Sequence, residues 1–227
     1  MPEQLLALVP LAMGAALQPP QVMAMIDLLQ TPRGVANGLA YVGGMTAFHL
    51  VLGALFWVLV TSLEQAVELG GGQFDLVVGA ILTVLGLVLL VNALRRGFSA
   101  GGEDDAAATW LQKLQSVSPG QAALVGVAFL ALDPIDWLMD LAAVDLIAAA
   151  DLSGLASLLA YLWFVLLAQS LVLIPLLFVL AAPQKAQKSL ASLDVWLERH
   201  TRVIEVVVSA LLGAYFLYAG LEYLAVS

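Results

Sequence analysis

Five ionisable side chains, Asp27, His49, Asp133, Asp136 and Asp140, lie inside long apolar stretches. Charge is costly in such a setting, and a residue of this kind is a functional candidate by default. Asp133, Asp136 and Asp140 are spaced three and four apart, which puts them on one helix face. Three ionised carboxylates there would repel, so the pattern predicts that some are protonated near neutral pH or bind a cation. His49 has no charged neighbour in sequence. It either bonds to an adjacent helix or relays a proton with Asp133 or Asp140. Carboxylates with one imidazole also suit a hard divalent ion such as manganese or calcium, with Asp133, Asp136 and Asp140 as the ligands. No ligand spacing fixes that site. Asp27 is close to Arg33 and serves either a surface pair or transport. Gln18, Gln169 and Asn92 either line the same cavity or join helix to helix. No nucleophile and base occur at a recognisable spacing, so neither an enzyme nor a cofactor is expected.

The elements that hold these residues are hydrophobic helices. The apolar fraction is 62% and the charged fraction 11%, against roughly half and a quarter in soluble domains. The mean hydropathy is +1.00. The apolar runs reach the roughly 20 residues that a bilayer crossing needs. Six spans are expected, roughly at 4–30, 36–62, 74–95, 120–148, 153–181 and 202–225. There are no cysteines, which excludes disulfides, thiolate metal sites and thiol redox chemistry. The net charge of -9 argues against nucleic acid as a partner. The N-terminus carries Glu3 and no basic residue, so the first run reads as a retained helix rather than a signal peptide.

All eight Lys and Arg fall in or beside the first, third and fifth connections. Arg33 lies in the first, Arg95, Arg96 and Lys113 in the third, and Lys185, Lys188, Arg199 and Arg202 in the fifth. The second and fourth carry Glu64, Glu68, Asp75, Asp145 and Asp151 instead. The positive-inside rule then puts the basic connections in the cytoplasm and both termini outside. Trp110, Leu111, Leu114 and Val117 recur at helical spacing, as do Leu190, Leu193 and Leu197. Both sets are expected to form short amphipathic helices on the inner leaflet, with Trp110 and Trp196 at the interface. Gly101 to Asp105 reads as a solvated tip.

An internal repeat organises the spans. Span one contains Ala16-Leu17-Gln18-Pro19-Pro20-Gln21 and span four Ala131-Leu132-Asp133-Pro134-Ile135-Asp136, about 115 residues apart. Three spans separate the two motifs, so two copies of a three-helix unit insert in opposite senses, as in many transporters. Proline disfavours helix just before it and suits the first position of a new one. Asp133 can therefore cap a half-helix that Pro134 starts, with Asp136 completing a capping-box-like pattern. Gln18, Pro19 and Gln21 form a weaker version. Pro10 and Pro175 read as simple kinks, and the many glycines as close helix contacts.

Several stretches resemble the GAP family of actinobacterial membrane proteins, which includes the sulfolipid- and glycopeptidolipid-addressing proteins. They are Leu8 to Val22, Thr31 to Leu39, Ala131 to Pro134, and Trp196 to His200, in the family's order and across nearly the whole chain. The family resembles a branch of the lysine exporter superfamily. The resemblance therefore implies export, with lipids or lipid-linked molecules as cargo. In the span-four motif the family pattern reads Asn-Pro-Lys, where this chain has Asp133-Pro134 with Asp136 in the place of the Lys.

The expectation is an all-α membrane protein forming a single transmembrane domain over 1–227. Its six helices make two inverted three-helix repeats, about 1–96 and 119–227, joined by a cytoplasmic linker at about 97–118. Helices one and four are broken or kinked at mid-membrane prolines. The expected function is secondary export of a lipid or small amphiphile, coupled to protons through the intramembrane carboxylates. The site comprises Gln18, Pro19, Gln21, His49, Asp133, Pro134, Asp136 and Asp140, with Asp27 and Gln169 as secondary candidates. The alternatives are a divalent-cation exporter and a non-transporting scaffold of a lipid export or synthesis complex. Expected partners are membrane lipids and a lipid or small-molecule cargo; a homo-oligomer is compatible with the pattern. The expected location is the bacterial cytoplasmic membrane.

Overall fold

The computed structural model describes residues 6–70, 74–98 and 117–226, and every regular element among them is an α-helix. The order is α1 (Leu8–Ala16), α2 (Pro19–Leu29), α3 (Gly34–Gly70), α4 (Phe74–Phe98), α5 (Pro119–Ala131), α6 (Pro134–Ala148), α7 (Gly154–Ala168), α8 (Ser170–Ala181) and α9 (Pro183–Val226). The expected tip at Gly101 to Asp105, and the helix through Trp110, Leu111 and Leu114, lie outside the described residues.

The chain is an all-α membrane protein. Gly34–Ser62 within α3 and Arg199–Glu222 within α9 are long and apolar enough to cross a membrane alone. Two more spans follow if α5 with α6 (bent by 76°) and α7 with α8 (bent by 69°) each count as one. The other two expected spans are less regular. The first is divided into α1 and α2, of 9 and 11 residues. In α4 the apolar stretch Gly86–Arg95 is shorter than a bilayer crossing.

The breaks follow from local sequence. Pro19 and Pro134 each stand at the first position of a helix, behind Gln18 and Asp133 in extended backbone. Helical geometry is disfavoured before a proline, so α1 and α5 stop there and new half-helices start. Pro10 sits in the first turn of α1 and interrupts nothing, because the N–H that it lacks has no intrahelical partner there. Pro175 lies inside α8, and the 69° bend falls before it, at Gln169. The α7–α8 stretch, expected as one span with a kink at Pro175, is broken at Gln169 instead. Asp151 turns the chain between α6 and α7 at φ 47°, a left-handed conformation that Asp tolerates better than most residues.

The segment from Pro183 does not form a separate surface helix. It is the first part of α9, whose 44 residues span roughly 66 Å. Leu190 and Leu197 are buried in the protein core rather than laid on lipid, while Trp196 stays half exposed. The helical spacing was correct, but its apolar side faces α2 and α8.

The core has two halves. One gathers α1, α6 and α7 with Val60 from the C-terminal part of α3. The other gathers α2, α5 and α8 with Tyr41 and Met45 from the N-terminal part of α3. Backbone meets backbone where glycine allows it. A Cβ at Gly44 would lie 2.1 Å from the Ala123 carbonyl oxygen, and one at Gly126 2.4 Å from that of Tyr41, so α3 and α5 touch directly. Between α4 and α9, Gly79 meets Gly220 and Gly86 meets Gly213. The breaks at Gln18, Asp133 and Gln169 fall between the two core halves.

Candidate functional site: the paired helix breaks

Pro19 makes Gln18 the N-cap of α2, but the Gln18 side chain makes no capping bond and its amide reaches across to α6 instead. Gln18 Nε2 donates to Asp136 Oδ1 at 2.7 Å. Gln21 Nε2 donates to Asp136 Oδ2 at 3.1 Å and to Gln18 Oε1 at 3.1 Å. The two matching motifs therefore bond to each other. Asp136 is only 2% exposed, so both carboxyl oxygens depend on these amides. The capping box expected at Asp133 is only half formed. Asp133 Oδ1 does accept from the Ile135 N–H at 2.9 Å, but Asp136 turns to the glutamines instead. The complete capping box among the described residues is at the start of α5, between Ser118 and Gln121.

One turn along α6, Asp140 makes a second cluster. Its Oδ2 lies 2.9 Å from His49 Nδ1, and Tyr161 Oη is 2.7 Å from its Oδ1. Tyr161 Oη is also 2.6 Å from the His49 carbonyl oxygen. His49 and Asp140 are both buried. His49 thus faces Asp140 rather than Asp133, and the charge it lacks in sequence is supplied across the bundle. Sequence spacing did not reveal Tyr161. It also missed Tyr41, whose hydroxyl donates to the Gln21 carbonyl at 3.2 Å, and Trp137, whose indole donates to the Leu130 carbonyl at 2.8 Å across the second break. The available signal was type and place: Tyr161 lies inside an apolar run, away from the interfaces where tyrosine is common.

Gln169 stands at the third break, 1% exposed. Its Oε1 accepts from Thr46 at 3.1 Å and its Nε2 is a buried donor with no partner. Asp27 lies in the last turn of α2, about two turns past Gln21, outside both clusters. Among the described residues no three His, Asp or Glu side chains group as metal ligands.

A cavity of about 1040 Å³ opens beside the breaks. Leu17 to Pro20 and Leu132 to Asp133 form one wall; α4 and α9 form the other. The lining is largely aliphatic, with Gln18, Asp133, Asn92, Arg95, Glu205 and Ser209 as its polar groups. Gln18 belongs to both the cavity wall and the Asp136 cluster. Asp136, Asp140 and His49 lie behind it, off the wall.

No curated protein and no solved structure matches the chain. A family model described as Sap, sulfolipid-1-addressing protein, matches residues 8–222. With the match running from α1 to the last turns of α9, through the breaks at Pro19 and Pro134 and both polar clusters, the chain belongs to the sulfolipid-1-addressing protein (Sap) family.

Proposed function

We propose that this protein is a secondary transporter that carries a lipid or small amphiphile outward through the cavity at the two breaks. The observation that carries this reading is Gln18, which lines the cavity and holds Asp136 at 2.7 Å. A molecule entering the cavity meets the side chain that secures the buried carboxylate. The volume, about 1040 Å³, is at the upper limit of small-ligand pockets, and the aliphatic lining suits acyl chains. The family description, with its reference to a sulfolipid, agrees with lipid cargo.

Proton exchange at Asp140 and Asp136 drives the cycle. Tyr161 has one hydroxyl proton and two close acceptors, Asp140 Oδ1 and the His49 carbonyl. With Asp140 ionised, the proton is directed to the carboxylate. With Asp140 protonated, Asp140 donates to Tyr161, and Tyr161 donates to the carbonyl. The pocket thus accommodates both protonation states without moving a backbone atom, and His49 Nδ1 is in position to exchange the proton.

The transporter is built from two inverted three-helix repeats in the bacterial cytoplasmic membrane, with both termini outside. Exchange of contacts supports the repeat. Gln21 and Asp136 occupy matching positions and bond to each other, as partners on a pseudo-twofold axis do. The two core halves exchange in the same way, α1 with α5 and α2 with α6.

In vesicles containing the purified protein, a fluorescent-labelled lipid should move only with a proton gradient. It should stop moving in Asp140→Asn. Undiminished movement in that variant would remove the proton role. The scaffold reading retains one observation in its favour: the first part of α9 exposes Val195 and Trp196. A stable co-purifying partner, with no lipid movement by the chain alone, would favour it.

A further inference from the structure

Broken membrane helices commonly meet anions with the free N–H groups of a half-helix N-terminus. At both N-termini beside this cavity the first N–H groups are missing or already paired. At α2, Pro19 and Pro20 have no N–H, and those of Gln21 and Val22 are taken by the Gln18 carbonyl at 3.1 and 3.4 Å. At α6, Pro134 has none and the Ile135 N–H is held by the Asp133 carboxylate at 2.9 Å. That first turn also carries Asp136. The Gln18 amide, a polar donor on the same wall, is directed away to Asp136. The charged side chains lining the cavity are Arg95 against Asp133 and Glu205, a negative balance. What the break offers is acceptors.

We infer that the cavity takes a lipid whose head group is uncharged and rich in hydroxyl donors, of the glycosyl type, and discriminates against sulfated or sulfonated heads. This rests on the transport reading only in taking the cavity as the cargo site. Hydroxyls would donate to the second oxygen of Asp133 while the chains lie along Leu87, Val88, Val208 and Leu212. An anionic head would instead meet Asp133 directly.

The test is native mass spectrometry of the whole protein, released from neutral detergent with matched lipids. The probes are a glucosyl diacylglycerol, its sulfonated analogue with the same chains, and a diacyl lipid with a quaternary ammonium head. The glucosyl lipid should be retained about fivefold better than the sulfonated one, the ratio expected from about 1 kcal/mol of like-charge repulsion. Asp133→Asn, which keeps a capping oxygen, should bring the two close to equal. Ala128→Trp, which fills the cavity, should abolish retention of both. Equal or stronger binding of the sulfonated lipid overturns the inference but leaves the cavity as the cargo site. Tighter binding of the quaternary ammonium lipid overturns it in favour of charge alone. Retention unaffected by Ala128→Trp overturns both this inference and the cavity reading.

Discussion

The bond between Gln21 and Asp136 joins the two halves of the chain, and its strength can be isolated. Gln21→Leu removes the 3.1 Å contact to Asp136 and the 3.1 Å contact to Gln18, and leaves Asp136 with Gln18 alone. Hydrogen bonds to charged groups contribute about 1.5–3 kcal/mol in soluble proteins. Side-chain bonds between membrane helices average about 0.6 kcal/mol and reach about 1.7. Here both partners are at most 3% exposed, so no water replaces the lost donor and the upper membrane value applies. A double-mutant cycle of Gln21→Leu and Asp136→Leu should therefore give a coupling of about 1.5 kcal/mol. The assay is unfolding in mixed micelles by titration with dodecyl sulfate, followed by circular dichroism. If the single effects add to within about 0.3 kcal/mol, the two break motifs do not bond, and the site has been assembled wrongly.

Three further outcomes follow from local geometry. Gly86→Ala sets a methyl 2.4 Å from the Leu217 nitrogen and should cost about 1–3 kcal/mol, whereas Gly43→Ala, with open space around it, should gain up to about 1 kcal/mol; thermal unfolding distinguishes them. Trp137→Phe loses the indole bond to Leu130 across the second break and should cost about 1 kcal/mol in the same assay. Because the chain has no cysteine, Arg33→Cys and Asp151→Cys report topology cleanly. A membrane-impermeant maleimide added outside should label the second and not the first.

How much of this could be read beforehand depends on the distance over which each residue acts. Pro19 and Pro134 determine their own neighbours' backbone, so both breaks were legible; of the three carboxylates expected on one helix face, Asp136 and Asp140 lie behind Gln18, while Asp133 stands outside the helix as its cap and lines the cavity. The third break was not, since Gln169 bends the chain ahead of Pro175 rather than at a proline. Asp136 has the local spacing of a capping position as well as of a binding site. The structure gives it glutamines 115 and 118 residues away, which no spacing rule reaches. Tyr161 and His49 met Asp140 by the same long-range packing. The Leu190 and Leu197 stripe had the period of a membrane-surface helix, and periodicity alone cannot distinguish lipid from a neighbouring helix as what covers it.

The central claim is that the buried carboxylates and the cavity work as one device through Gln18. The most direct measurement records lipid movement and proton flux together in the same vesicles. Lipid added to energised vesicles should move and release protons in step, and Gln18→Leu should uncouple the two. Lipid movement that is indifferent to the gradient, or flux that stays coupled in Gln18→Leu, would contradict it.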